Sequence, residues 1–105
     1  MYHKHRIVFL VNIKQEPYSP YRWDKQMFTA SKGNFIVDWG DGTLELNSTH
    51  HDYDKPGVYK VVIEGDLRYD VIYFDYIVVH IEQLDIECKA KLPSYVKKLM
   101  NSIDI

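Results

Sequence analysis

Residues 35–65, FIVDWGDGTLELNSTHHDYDKPGVYKVVIEG, decide how this chain is read. Phe35, Val37 and Trp39 alternate with Ile36 and Asp38, the pattern of a strand with one face in a core. Gly40, Asp41 and Gly42 follow. Glycine reaches positive φ without steric cost and aspartate side chains satisfy exposed amides, so the triplet predicts a tight turn. Residues 43–47 (TLELN) alternate again, and Pro56-Gly57 marks a second reversal. Beyond it Tyr59, Val61 and Ile63 share a face opposite Lys60 and Glu64. Strand, turn, strand, turn, strand is the plan of a small antiparallel β-sandwich.

Working outward, residues 6–14 (RIVFLVNIK) are apolar and β-branched and predict a first strand. Residues 15–25 hold Pro17, Pro20 and a Tyr-Tyr-Trp cluster, which predicts a loop or an edge segment interrupted by proline. A short strand is expected at 26–30, closed by a turn at 31–34. Residues 70–82 are almost continuously apolar and aromatic, so they read as one doubly buried strand or as two strands with a tight bend. In the tail, Pro93 predicts the start of a short helix with Tyr95, Leu99 and Met100 toward the core. The expected division is a sandwich over 1–82 and an extension over 83–105 packed on it.

At 105 residues the chain is one domain, able to bury about 60–65 % of its unfolded surface. Nine Tyr, four Phe and two Trp favour strands first and binding surfaces second. A net charge of −2, with both signs interspersed, leaves no footprint for nucleic acid or an anionic membrane. Cys88 is the only cysteine, so no intrachain disulfide can form, and its apolar setting points to an inert thiol. The apolar run after the basic N-terminus is too short for a signal peptide, and no stretch reaches the roughly 20 apolar residues of a membrane helix. If Met1 is the natural start, a cytoplasmic or virion-associated setting is expected.

The segment Val37-Asp38-Trp39-Gly40-Asp41-Gly42-Thr43, followed by His51-x-Tyr53-x-x-Pro56-Gly57-x-Tyr59-x-Val61, resembles the PKD-type immunoglobulin-like domain. The nearest variant is the V-D-W-G-D-G form found before BspA-like leucine-rich repeats in bacterial surface proteins. The resemblance implies an all-β, antiparallel PKD/immunoglobulin-like sandwich, with Tyr59 as a tyrosine corner whose hydroxyl bonds back to the backbone. It also implies that Val37 and Trp39 take the places of the family's usual core Trp and its neighbouring Phe. Residues 92–99 (LPSYVKKL) resemble the opening of a short leucine-rich repeat, so the tail reads either as a truncated repeat start or as the short helix.

Several residues invite a chemical reading. His50, His51, Asp52 and Asp54, with Asp38 and Asp41, hold metal-ligating atoms. Yet adjacent histidines on a strand point to opposite faces, and no EF-hand-like ligand series is present. Turn chemistry accounts for them better, with the Asp side chains and His51 bonding turn backbones. His3 and His5 share a strand face near a terminus expected to be frayed and solvated. His80, in an apolar strand, reads as a satisfied core or interface histidine. Gly40-Asp41-Gly42 lacks the length and following helix of a phosphate loop. Asn47-Ser48-Thr49 is a glycosylation sequon with meaning only in a secretory setting.

No nucleophile, base and orienting group stand together, so the chain is expected to be non-catalytic and to need no cofactor or metal. The expected role is a protein-interaction or structural module, a surface domain or a small phage or mobile-element protein, with a homodimer through 70–82 also open. The expected binding residues are Tyr18, Tyr21, Arg22 and Trp23, because Tyr, Trp and Arg recur at interface hot spots. The structural set is Asp38, Trp39, Gly40, Asp41, Gly42, His51, Tyr53, Pro56, Gly57 and Tyr59. A carbohydrate- or calcium-binding accessory module is the alternative that the resemblance allows.

Overall fold

The computed structural model describes residues 5–14, 34–69, 74, 77–88 and 94–101. Its elements are β1 (His5–Ile13), β2 (Phe35–Asp38), β3 (Leu44–Leu46), β4 (Gly57–Gly65), β5 (Arg68–Tyr69), β6 (Val78–Asp85), β7 (Glu87–Cys88) and α1 (Ser94–Asn101). Five strands form one antiparallel sheet in the order β3-β2-β4-β1-β6. The remaining two, β5 and β7, pair in parallel. The described residues are therefore predominantly antiparallel β with one short helix.

The alternation in the sequence becomes the two faces of the sheet. Phe35, Val37, Val61 and Ile63 are buried, and cross-strand neighbours such as Val37 and Ile63 share that face. The N-terminal strand takes a central place: β1 lies between β4 and β6, setting Ile7 opposite Ile63 and Phe9 opposite Val61. Its inward residues Ile7, Phe9, Val11 and Ile13 are all buried. His5, read from the sequence as solvated, is buried as well. The strand does not fray there, because His5 is held opposite Gly65 at the end of the β1–β4 ladder.

On the other face of β1, Val8 is also buried. Lys60 of β4 and Glu82 of β6, the strands flanking β1, meet at 3.0 Å. Both are well exposed, so this pair contributes at most about 1 kcal/mol. The β1–β6 ladder shifts register twice, between Val8 and Phe9 and between Leu10 and Val11, as bulges do.

Over the inner face, the core continues through Leu67, Phe74, Ile77 and Val96. Phe74 packs edge-on to Phe9, with ring centroids 5.4 Å apart. Within 70–82, Ile77 sits at a turn and β6 begins at Val78, so the described part is not one continuous strand. β6 also continues past residue 82 to Asp85.

The helix α1 packs on the core through a different residue from the one the tail pattern suggests. Val96 is fully buried, with Leu99 and Met100 packed beside it, an i, i+3, i+4 stripe. Tyr95 lies at the edge of that stripe and is exposed, and its hydroxyl accepts the Phe74 N–H at 3.2 Å.

Candidate functional site

The turn joining β2 to β3 is built by its two aspartates. Asp38 Oδ1 accepts the Gly40 N–H at 3.0 Å, and Asp41 Oδ1 accepts the Thr43 N–H at 3.1 Å. The Trp39 N–H donates to the Thr43 carbonyl at 3.1 Å and closes the loop. Gly40 has φ 86°, and a Cβ there would strike the carbonyl oxygen of Lys60 on the neighbouring strand. Gly42 has φ 93° but faces open space. Only the first glycine is demanded twice, by its dihedral and by its neighbour.

The far end of the hairpin is closed by Asn47, at φ 54°, a conformation asparagine tolerates better than most residues. Its backbone N–H donates to the Phe35 carbonyl at 2.9 Å, and its Oδ1 accepts the Phe35 N–H at 2.9 Å. The side chain thus stands in for a backbone carbonyl where β3 stops. In the sequence this residue is noticeable only as the start of a sequon.

His51 arrives from the connection between β3 and β4 and lies flat on Trp39, with ring centroids 5.0 Å apart and 6° between planes. It was not the turn backbone that its nitrogens found. Nε2 lies 2.8 Å from Asp41 Oδ2, and Nδ1 lies 3.0 Å from Glu45 Oε1. The reason is register: Glu45 faces Val37 on β2, on the inner side of the hairpin, where the stacked imidazole can reach it. The strand rule that would point His50 and His51 oppositely has no purchase, since both lie outside the strands.

Tyr53 stands edge-on to His51 at 4.7 Å and donates its hydroxyl to the Trp39 carbonyl at 2.7 Å. Tyr59 stacks on Tyr53 at 4.2 Å and donates to the Lys55 carbonyl at 2.7 Å. Pro56 is exposed just before β4, and Gly57 is its first residue. Trp39, His51, Tyr53 and Tyr59 therefore form a continuous run of rings from the turn to β4. The Trp39 indole N–H is buried and meets no acceptor among the described residues.

Burial acts to raise the Asp41 carboxyl, but hydrogen bonds from His51 and Thr43 outweigh it and hold it below its ordinary value of 3.8. The Tyr53 hydroxyl is pushed well above its ordinary value, first by burial and then by the negative charge of the nearby Asp41 and Asp38 carboxylates. It stays a neutral donor. Asp38, Asp41, Glu45 and His51 are thus engaged with the backbone or with one another, and among the described residues no group of three His, Cys, Asp or Glu is arranged to hold a metal ion.

The opposite face of the same hairpin carries exposed apolar side chains beside Asp38. Ile36 stands across from Leu46, and Asp38 across from Leu44. Ile36, Leu44 and Leu46 are 42 %, 62 % and 74 % exposed. β3 is the last strand of the sheet, and among the described residues no strand pairs with its far side. The signal for this patch was present in the L-E-L of residues 44–46, since antiparallel pairing with Ile36 puts both leucines on the side away from Trp39.

The aromatic loop residues Tyr18, Tyr21, Arg22 and Trp23, the expected strand at 26–30 and the side chain of Cys88 lie outside the described residues. His80 is half-buried and engaged in an interaction. Among the described residues no helix is long and apolar enough to cross a membrane. Comparison with known proteins finds no matching family model, no matching curated protein and no matching solved structure.

Proposed function

We propose that this chain is a non-catalytic protein-interaction module on a PKD-like, immunoglobulin-type scaffold, and that it contacts its protein partner through the outer face of the β2–β3 hairpin. The observation that carries the reading is the exposure of Leu44 and Leu46 on the edge strand β3 together with Ile36 on its neighbour β2. Single exposed apolar residues are ordinary, but a contiguous group beside unpaired strand edges invites an added strand or an apolar partner surface. The residues that look chemical support the same view from the other side, because their polar atoms bond one another.

The PKD-like assignment is supported by the Tyr59 hydroxyl bonding back to Lys55 and by the two aspartate-closed bonds of the turn. Tyr18, Tyr21, Arg22 and Trp23 are retained as a second proposed contact on the grounds of residue type.

A photo-crosslinking side chain placed at Leu46 tests the reading against one placed at Glu82, on β6 at the opposite edge of the sheet. Discrete protein adducts from position 46, absent from position 82 and lost in Leu44→Lys, are expected in cells expressing the protein. Light scattering on the same samples tells whether the adduct is a second copy. Adducts that are equal from both positions, or that ignore Leu44→Lys, contradict it.

A further inference from the structure

We infer that His51 is a protonation-dependent clasp on the edge strand β3: the doubly protonated ring ties Glu45 to Asp41, and loss of one proton releases Glu45 and loosens that strand. The argument rests on counting donors. A carboxylate only accepts hydrogen bonds, and a neutral imidazole has a single N–H, whereas the imidazolium has two. Here both ring nitrogens lie within hydrogen-bond distance of a carboxylate oxygen, 2.8 Å to Asp41 and 3.0 Å to Glu45. The geometry is fully satisfied only by the charged ring. A neutral one would set a lone pair against a carboxylate at one end.

The surroundings favour the same state. The ring lies flat on the Trp39 face, where a cation is attracted by the indole quadrupole. The groups facing it are Asp41 from the turn, Glu45 from β3 and Tyr53 from its own connection. Tyr53 is already donating to the Trp39 carbonyl, Tyr59 stacks on Tyr53, and Asp38 accepts from the Gly40 N–H. Lys60, whose backbone runs under Gly40, has its ammonium group at Glu82.

The two arms differ, which decides the one that lets go. Asp41 is fixed by its second bond to Thr43 and its side chain is 22 % exposed. The Glu45 side chain is longer, 37 % exposed, and among the described residues bonds His51 alone. Glu45 is the arm released. The proton leaves to water, and the carboxylate turns out to solvent with it.

The sign follows. Imidazoles change charge between about pH 5 and pH 8. The clasp is made by the doubly protonated ring, and the Glu45 arm is lost when a rising pH takes one proton from it. Asp41, its carboxyl held below the ordinary value, keeps its charge through that window. Because Glu45 sits between Leu44 and Leu46, the clasp would also regulate the contact face proposed above. That consequence rests on the proposed function; the clasp itself does not.

The test is a nitrogen-15 NMR titration of the His51 ring, followed together with the backbone amides of Leu44, Glu45 and Leu46 from about pH 5 to about pH 8.5. Both ring nitrogens should be protonated at the acid end, and the three amides should shift along the ring's own curve. Glu45→Gln is the informative variant. Its amide can accept from the charged ring or donate to the neutral one, so it keeps the contact at every pH. The amide shifts should shrink several-fold in it while the fold is retained. Amides that ignore the ring in the native protein, a ring with one N–H throughout, or equal shifts in Glu45→Gln would each overturn the clasp, whatever the fate of the crosslinking experiment.

Discussion

The two faces of the β2–β3 hairpin share one backbone and have opposite characters. On the inner side Val37 and Trp39 are wholly buried, Glu45 is bonded to His51, and Tyr53 caps the Trp39 carbonyl. On the outer side Ile36, Leu44 and Leu46 meet solvent. Strand geometry makes such a contrast available, because successive side chains leave opposite faces. What the contrast teaches is that burial and bonding have been concentrated on one side, so the other side is free to change without cost to the fold.

The comparison can be broken by substitution. The largest effect is expected from Trp39→Ala, which removes the indole from the core and the platform from under His51. It should cost about 3–5 kcal/mol, read from the midpoint of denaturant unfolding. Gly40→Ala comes next. It combines a strained φ with a backbone clash and should cost about 3 kcal/mol, whereas Gly42→Ala, strained but facing open space, should cost about 1 kcal/mol. Equal costs at the two glycines would show that the Lys60 contact does not matter. Tyr53→Phe leaves the buried Trp39 carbonyl without its donor and should cost about 1–3 kcal/mol in the same assay. Smallest of all, Leu46→Ser on the outer face should change stability by no more than about 0.5 kcal/mol.

Much of the inner face was legible beforehand. The alternation of Phe35, Val37 and Trp39 with Ile36 and Asp38 reappears residue by residue as buried and exposed positions. The Gly40-Asp41-Gly42 turn follows from positive φ and from side chains that bond the backbone two residues on. The glycine and tyrosine of the second turn likewise occupy the start of β4.

What escaped the sequence are relations between elements. No local pattern puts β1 between β4 and β6, since its ladders join residues more than forty positions apart, as with Phe9 and Val61. Glu45 drew no notice because a glutamate on a short strand reads as a solvent-facing charge until β2 sets it beside Val37. His51 looked like a backbone ligand because its partners are side chains fixed by a turn and by a strand. The tail shows a smaller error of the same kind. Tyr95, Leu99 and Met100 have helical spacing, yet the core selects Val96 and leaves Tyr95 at the rim, where its hydroxyl reaches the Phe74 backbone.

The most direct measurement joins the two halves of the comparison in one variant. Leu44→Ser combined with Leu46→Ser should leave the denaturant midpoint within about 1 kcal/mol of the native protein. In the same variant, partner adducts from a crosslinker at position 36 should disappear. A large loss of stability would mean that the outer face belongs to the core after all, and adducts that persist would mean that the hairpin is not the contact surface.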